Sequence, residues 1–398
     1  MTRSTRLTAA SLAGLIALTA CDRSSTRPTP DHGPPPAATP PPPHTFYAAI
    51  NAADFGEMVK QLASDEFEGR GPGSPGEEKS VEYIKAQFER LGLKPGNNGS
   101  YFQTVPMVQT TADETTVVKL DVKGQPRELK FGGDMVIGTR TGKPEVKIDA
   151  SDLVFVGYGV NAPEQKWNDY AGVDVKGKTV VMFVNDPGFH SQDEKLFEGK
   201  RMTYYGRWTY KFEEAARQGA AAALIIHDNE GASYGWDVVK NSWSGAQFDL
   251  PAKDDPDPRL PVQGWISGDT ARRLMSDLGQ DLDKLYQAAN KPGFKAIPLQ
   301  AKLSVDLKSQ ISEKSSRNVV ALLPGAKRPD EAIVYMAHWD HLGNHAHEAD
   351  EHGTSSASAA DDVIYNGAID NATGVAGILR IAEAFSKQTL PPARPLLI

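Results

Sequence analysis

A single cysteine, Cys21, is all the thiol chemistry this 398-residue chain holds, so an intrachain disulfide framework is excluded. Long apolar runs are also missing. The best candidate, Leu7 to Ala20, falls short of the roughly twenty residues that a membrane-spanning helix needs. No block of lysine and arginine interrupts a mildly acidic balance of -8, which argues against a nucleic-acid partner. What is present, 39% hydrophobic and 24% charged residues, describes a globular chain. Its length suggests about two domains.

The N-terminus reads as a targeting segment. Arg3 and Arg6 precede the short apolar run, and the run closes with Leu18-Thr19-Ala20-Cys21, which fits a signal-peptide pattern. That ending resembles the bacterial lipobox, which implies that Cys21 is lipidated and that residues 1–21 are a lipoprotein signal peptide. The alternative is an ordinary secreted protein with a chance cysteine. Residues 22–45 contain Gly33-Pro34-Pro35-Pro36 and Pro40 to Pro43. Such a composition forms an extended, semi-rigid spacer and no core. The expectation is an exported lipoprotein, anchored to a membrane through its N-terminus, with a body in the periplasm or at the cell surface.

In the body, residues 52–64 read as a helix. Glu68 to Gly76 follows as a turn, in which Gly71, Gly73 and Gly76 match the spacing of a dinucleotide loop. That function is rejected, because no strand precedes the loop and Pro72 and Pro75 each remove an N–H donor. Ser74 as N-cap, Pro75 at the first helical position and Glu77 three residues after the cap instead predict a capping box. The helix carries Val81, Ile84, Phe88 and Leu91 on one face and stops at Gly92. Strands are expected at 152–159, 178–186 and 220–227, with a helix over 208–218. Residues 141–294 thus form a β-rich subdomain with one or two helices, in which His227 is a satisfied structural histidine. After Ser315, Asn318–Leu323 and Ala332–Ala337 read as a hairpin. A polar loop over 342–366, a helix over Ala372–Ser386 and a strand beginning at Arg394 complete the pattern.

The chemistry-bearing residues lie late in the chain. In Tyr335-Met336-Ala337-His338-Trp339-Asp340-His341-Leu342-Gly343, His338 and Asp340 are two apart. If strand geometry persists, both side chains leave on one face. That suits a metal-ligand histidine with a carboxylate orienting it. Asp370 sits where the last helix begins, a position that stabilises a carboxylate, although it or Asn371 could simply cap the helix. Each motif alone is weak; together, at element junctions, they raise a metal-dependent hydrolase as one reading beside an ordinary polar cluster.

From about Ala63 onward the chain resembles the bacterial di-zinc aminopeptidases of the leucyl-aminopeptidase type, relatives of glutamate carboxypeptidase and the transferrin receptor. The matching stretches are Ser64–Gly73, Gly157-Tyr158-Gly159, Trp167–Tyr170, Ser316–Val320, Ala337–Gly343 and Asn366–Gly374. The resemblance implies an α/β fold: a zinc-exopeptidase α/β/α sandwich core with a mixed sheet, formed by residues 46–140 and 295–398. A β-rich protease-associated domain, 141–294, would be inserted into it. It implies two Zn2+ ions, His338 as a zinc ligand, Asp370 as the carboxylate shared by both ions, and Asp340 as the catalytic acid beside the histidine. It also implies peptide substrates that lose their N-terminal residues. No ligand role follows for His341, and His345, His347, His352, Asp361 and Asp362 read as a solvated loop. The family's general-base glutamate and remaining ligands follow the next strand, so they are expected beyond Ile398. On that reading the chain is truncated, binds zinc weakly and hydrolyses little. A carboxypeptidase or dipeptidase on the same scaffold and a non-catalytic peptide-binding lipoprotein are the alternatives. Nothing in the sequence sets the oligomeric state.

Overall fold

The computed structural model describes residues 49–191, 193–344 and 363–398. Cys21, the signal peptide and the proline-rich spacer lie outside the described residues, as do His345, His347, His352, Asp361 and Asp362. Among the described residues no helix is long and apolar enough to cross a membrane.

The helices of the smaller core follow their sequence signals. Ala52–Leu62 is capped by Asn51, whose side chain accepts from the Asp54 N–H, and it buries Met58 and Leu62. Pro75–Arg90 starts at Ser74, whose hydroxyl accepts from Gly76 and Glu77. The Glu77 carboxylate reaches one residue further back than a capping box requires, to the Gly73 N–H at 2.6 Å. These two helices and Thr373–Ser386 pack around Val81, Phe88, Val375 and Leu379. Each such buried side chain contributes about 1.5–3 kcal/mol.

Against this cluster lies a four-stranded sheet in the order Lys94–Pro95, Ala321–Leu323, Leu396–Leu397, Ile333–Val334. The expected hairpin is therefore not formed. Leu396–Leu397 inserts between its two arms, antiparallel to Ala321–Leu323 and parallel to Ile333–Val334. An apolar strand from the chain end competes for the central position, and local sequence proximity loses to burial of Leu396 and Ile398.

The second sheet has ten strands. Its centre is parallel: Glu145–Phe155, Thr179–Phe183, Ala222–Ile226 and Val262–Ile266 run side by side. The last three are buried at every position, as expected of a sheet covered on both faces. Five helices lie between residues 208 and 289, not the one or two expected. The sheet also extends past the expected boundaries. Phe102–Ala112, Val117–Val122, Gln125–Lys130 and Met135–Gly138 belong to it, as does the 23-residue strand Ile297–Val319. The fold class is α/β with a large mixed sheet.

Two further readings change. The strand expected to reach Gly159 ends at Phe155, and Gly157-Tyr158-Gly159 turns. Buried Asp169 holds that turn, accepting from the N–H groups of Tyr158 and Val160 and from the Trp167 indole. Burial raises its carboxyl to about 7 despite these donors. The second is His227. It is buried among Tyr234, Trp236 and Trp265, but neither ring nitrogen has a hydrogen-bond partner among the described residues. It is apolar filling, and no satisfied donor.

Arg380 ties the smaller core together. Its guanidinium, 1% exposed, meets Asp54 at 3.0 Å and Glu383 at 2.5 Å, and Glu383 also takes both arms of Arg90. Removing one partner strands a buried charge, so Arg380→Ala should cost about 3–5 kcal/mol, read as a lower urea midpoint. An unchanged midpoint would show that the network is dispensable. Burial lowers the pKa of His227. The unfolded chain therefore takes up the proton first, and stability should fall as pH drops below about 6.5. His227→Phe should flatten that slope in pH-dependent denaturation curves.

Candidate functional site

Residues 335–342 form no ladder, yet burial alternates along them. Trp339 is 8% exposed and packs into the smaller core. The side chains of His338 and Asp340 stand outside it at 53% and 46% exposure. The indole N–H of Trp339 donates to the Arg317 carbonyl at 3.0 Å, which fastens this loop to the end of the long strand.

His338 and Asp370 meet. Nε2 of the histidine lies 3.1 Å from Oδ1 of the aspartate. On the other side of the ring, Nδ1 lies 3.1 Å from the backbone oxygen of Asp340, while the Asp340 carboxylate stands off at 3.6 Å. The expected carboxylate–histidine contact is thus made by the main chain. A carbonyl only accepts, so Nδ1 carries a proton, and Nε2 is turned towards the Asp370 carboxylate. A ring nitrogen and a carboxylate oxygen face each other, an arrangement that a proton or a metal cation between them makes favourable.

Asp370 is free for this because its neighbour does the capping. The Asn371 side chain accepts from the Gly374 N–H at 3.0 Å, and the Asp370 carboxylate remains 69% exposed. Its second oxygen lies 3.9 Å from Nδ1 of His341. Burial lowers the His341 pKa, with Asp370 opposing, so that ring tends towards neutral beside the carboxylate. His338 and Asp370 could hold a metal. Among the described residues no group of three or more His, Cys, Asp or Glu side chains forms a fuller centre.

The residue that sequence reasoning left without a role is Arg70. It is 1% exposed and its guanidinium makes four bonds to main-chain carbonyls. Nε donates to Trp339 at 2.8 Å, Nη1 to Leu62 and Asn366 at 2.6 Å each, and Nη2 to Gly367 at 2.7 Å. Its own carbonyl accepts from the His341 N–H at 3.1 Å. One side chain therefore holds both the His338 loop and the Asp370 loop. The clamp requires glycine at its edges. A Cβ on Gly69 would lie 2.2 Å from the Gly343 oxygen, and one on Gly367 would lie 2.5 Å from Arg70 Nη2. Both glycines also have positive φ. The signal available in the sequence was an arginine between two glycines, a mark of close backbone approach.

A cavity of about 940 Å3 opens at this place, with His338, Asp340, His341 and Asp370 in its lining.

Residues 318–398 match the family described as Peptidase family M28. Over that segment the chain is similar to the M28 peptidases. The match falls on the residues that meet at the site, and it agrees with the resemblance read from the motifs. No curated protein matches the chain. Three solved structures are similar over most of it. An aminopeptidase from Aneurinibacillus sp. strain AM-1 is 20% identical, with 87% of this chain and 61% of that one covered and a TM-score of 0.41. A peptidase M28 precursor from Shewanella amazonensis SB2B is 17% identical, with 87% and 63% covered and a TM-score of 0.40. BSAP, a zinc aminopeptidase from Bacillus subtilis, is 17% identical, with 88% and 61% covered and a TM-score of 0.37. The chain spans about three fifths of the length of these structures.

Arg70→Met should release both loops. Loss of four carbonyl partners should destabilise the protein by at least about 3 kcal/mol. Hydrogen exchange should accelerate in peptides covering 338–343 and 366–371 together. Acceleration in only one of the two would show that the loops are held separately.

Proposed function

We propose that this protein is a zinc-dependent exopeptidase that removes N-terminal residues from peptides. The observation that carries the reading is the approach of His338 Nε2 to Asp370 Oδ1 at 3.1 Å, within the segment similar to the M28 peptidases. Two ligands on one tetrahedral zinc, at about 2.0–2.2 Å each, stand about 3.3–3.5 Å apart. The donor set fits: a neutral imidazole nitrogen and a carboxylate oxygen are both ordinary zinc ligands. Asp370 directs one oxygen to His338 and the other to the His341 side, which supports a carboxylate shared by two ions.

Zinc bound here would supply a Lewis acid that polarises a carbonyl and lowers the pKa of water. The chain's own residues prepare that chemistry. The Asp340 carbonyl holds the proton of His338 at Nδ1 and so keeps Nε2 available. Asn371 takes over the helix cap and leaves Asp370 unengaged. Arg70 fixes the distance between the two loops. Asp340 and Asp370, both exposed to the cavity, give it a negative rim suited to a peptide's free amine. In this reading the enzyme is an exported lipoprotein, tethered through Cys21 and residues 22–45, at work in the periplasm or at the cell surface. The lipobox-like ending and the proline-rich composition support that placement.

Zinc affinity of the 398-residue chain, measured by chelator competition, should fall more than about 10-fold in His338→Ala and in Asp370→Ala. Asp340→Ala keeps the main-chain oxygen that orients His338, so its loss should be smaller. Turnover of aminoacyl-p-nitroanilides should stop on chelation. Turnover indifferent to chelators, or zinc affinity unmoved by both ligand variants, would sink the proposal.

A further inference from the structure

The cavity has a second wall that the proposed chemistry does not use. It is one face of three antiparallel strands, Ile297–Val319, Phe102–Ala112 and Ala246–Asp249, the last of them outermost in the sheet. The register places Lys314 opposite Met107, and Gln109 opposite Phe248. Side chains alternate along a strand, so Val105, Met107, Phe248 and Lys314 share the face that lines the cavity. The three apolar residues are only half-buried there.

Charge distinguishes the two walls. The loop side carries Asp340 and Asp370. On the sheet side Arg140, Arg317 and Lys314 line the cavity beside Asp249 and Asp255. Arg140 is paired with Asp249, and Arg317 with Glu78 at 2.5 Å. Lys314 makes no ion pair with any described residue, and it is exposed. The indole bond pins Trp339 beside Arg317. Lys314 lies three residues further along the strand, about 10 Å at roughly 3.3 Å per residue. An extended peptide covers that distance in about three residues.

We propose that the cleft binds short extended peptides across this sheet face, with Lys314 pairing with a carboxylate of the substrate away from the His338–Asp370 pair. The apolar side chains Val105, Met107 and Phe248 receive the intervening residues. Amine and carboxylate of one short peptide then meet opposite charges, the amine the acidic rim and the carboxylate Lys314, which favours short peptides with a free C-terminus. The inference rests on the peptidase reading and adds its substrate class.

The test compares a tetrapeptide bearing a free C-terminal carboxylate with its C-terminal amide. Binding is measured by calorimetry on the 398-residue chain, and cleavage is followed in parallel. The free acid should bind roughly 2- to 5-fold more tightly, the range of an exposed ion pair. Lys314→Ala should remove the difference, Lys314→Glu should reverse it, and Lys314→Arg should keep it. Lys314 is exposed, so these variants should fold. Equal affinities in the unsubstituted chain, no binding of either peptide, or discrimination surviving Lys314→Ala would each overturn the proposal. Lys314-dependent discrimination together with zinc affinity unmoved in His338→Ala and Asp370→Ala would support the binding surface and overturn the peptidase reading alone. Cleavage without discrimination would do the reverse.

Discussion

The guanidinium of Arg70 is the contact on which the candidate site depends. A buried charge is costly unless its donors find acceptors, and here four main-chain carbonyls take up four of the five N–H groups. Those carbonyls belong to the N-terminal helix, the His338 loop and the Asp370 loop, segments separated by up to 305 residues in the chain. The two loops also pair with each other beside the contact, Gly343–Asn344 running antiparallel to Ile364–Tyr365. The arginine adds to that short ladder where the adjoining backbone is irregular, and the loops need such a support because their side chains face out into the cavity.

A second support runs through the long strand Ile297–Val319. Its first half pairs with Glu145–Phe155 and its far end with Phe102–Ala112, all within the large sheet, and at that far end the Arg317 carbonyl accepts the Trp339 indole N–H. The same strand thus connects the hydrophobic core of the large sheet to the loop that bears His338, and it presents Lys314 to the cavity. Asn371 and Asp370 divide two roles that a single residue could not fill at once. A carboxylate spent on capping the helix would have no oxygen to offer His338.

Much of this was legible from residue order alone. The helices at Ala52, Pro75, Trp208 and Thr373 begin close to where caps and apolar periodicity put them. His338 and Asp340 leave on one side because Trp339 between them is drawn into the core. The strand at 297–319 was legible too, since Leu299, Ala301, Leu303, Val305 and Leu307 alternate with exposed residues, yet a boundary was expected to fall at 294. Other features had no local signal. Pairing of Leu396–Leu397 between the supposed hairpin arms is a competition between segments about seventy residues apart. The short helices around residues 229–243 and 268–289 are held by the sheet they cover. His227 carries a polar residue's pattern, but its surroundings are aromatic.

Residue order by itself determined the α/β class, the caps and the apolar faces, because these follow from side-chain chemistry and from periodicity within a few residues. Tertiary structure decided which groups meet and in what state. It set His338 Nε2 against Asp370, gave the orienting role beside His338 to a backbone carbonyl in place of the Asp340 carboxylate, and made a clamp of Arg70. Hydrogen bonds to main-chain carbonyls leave almost no trace in the residues that supply them, since every residue carries the same acceptor. Only the folded arrangement shows which carbonyls an arginine gathers.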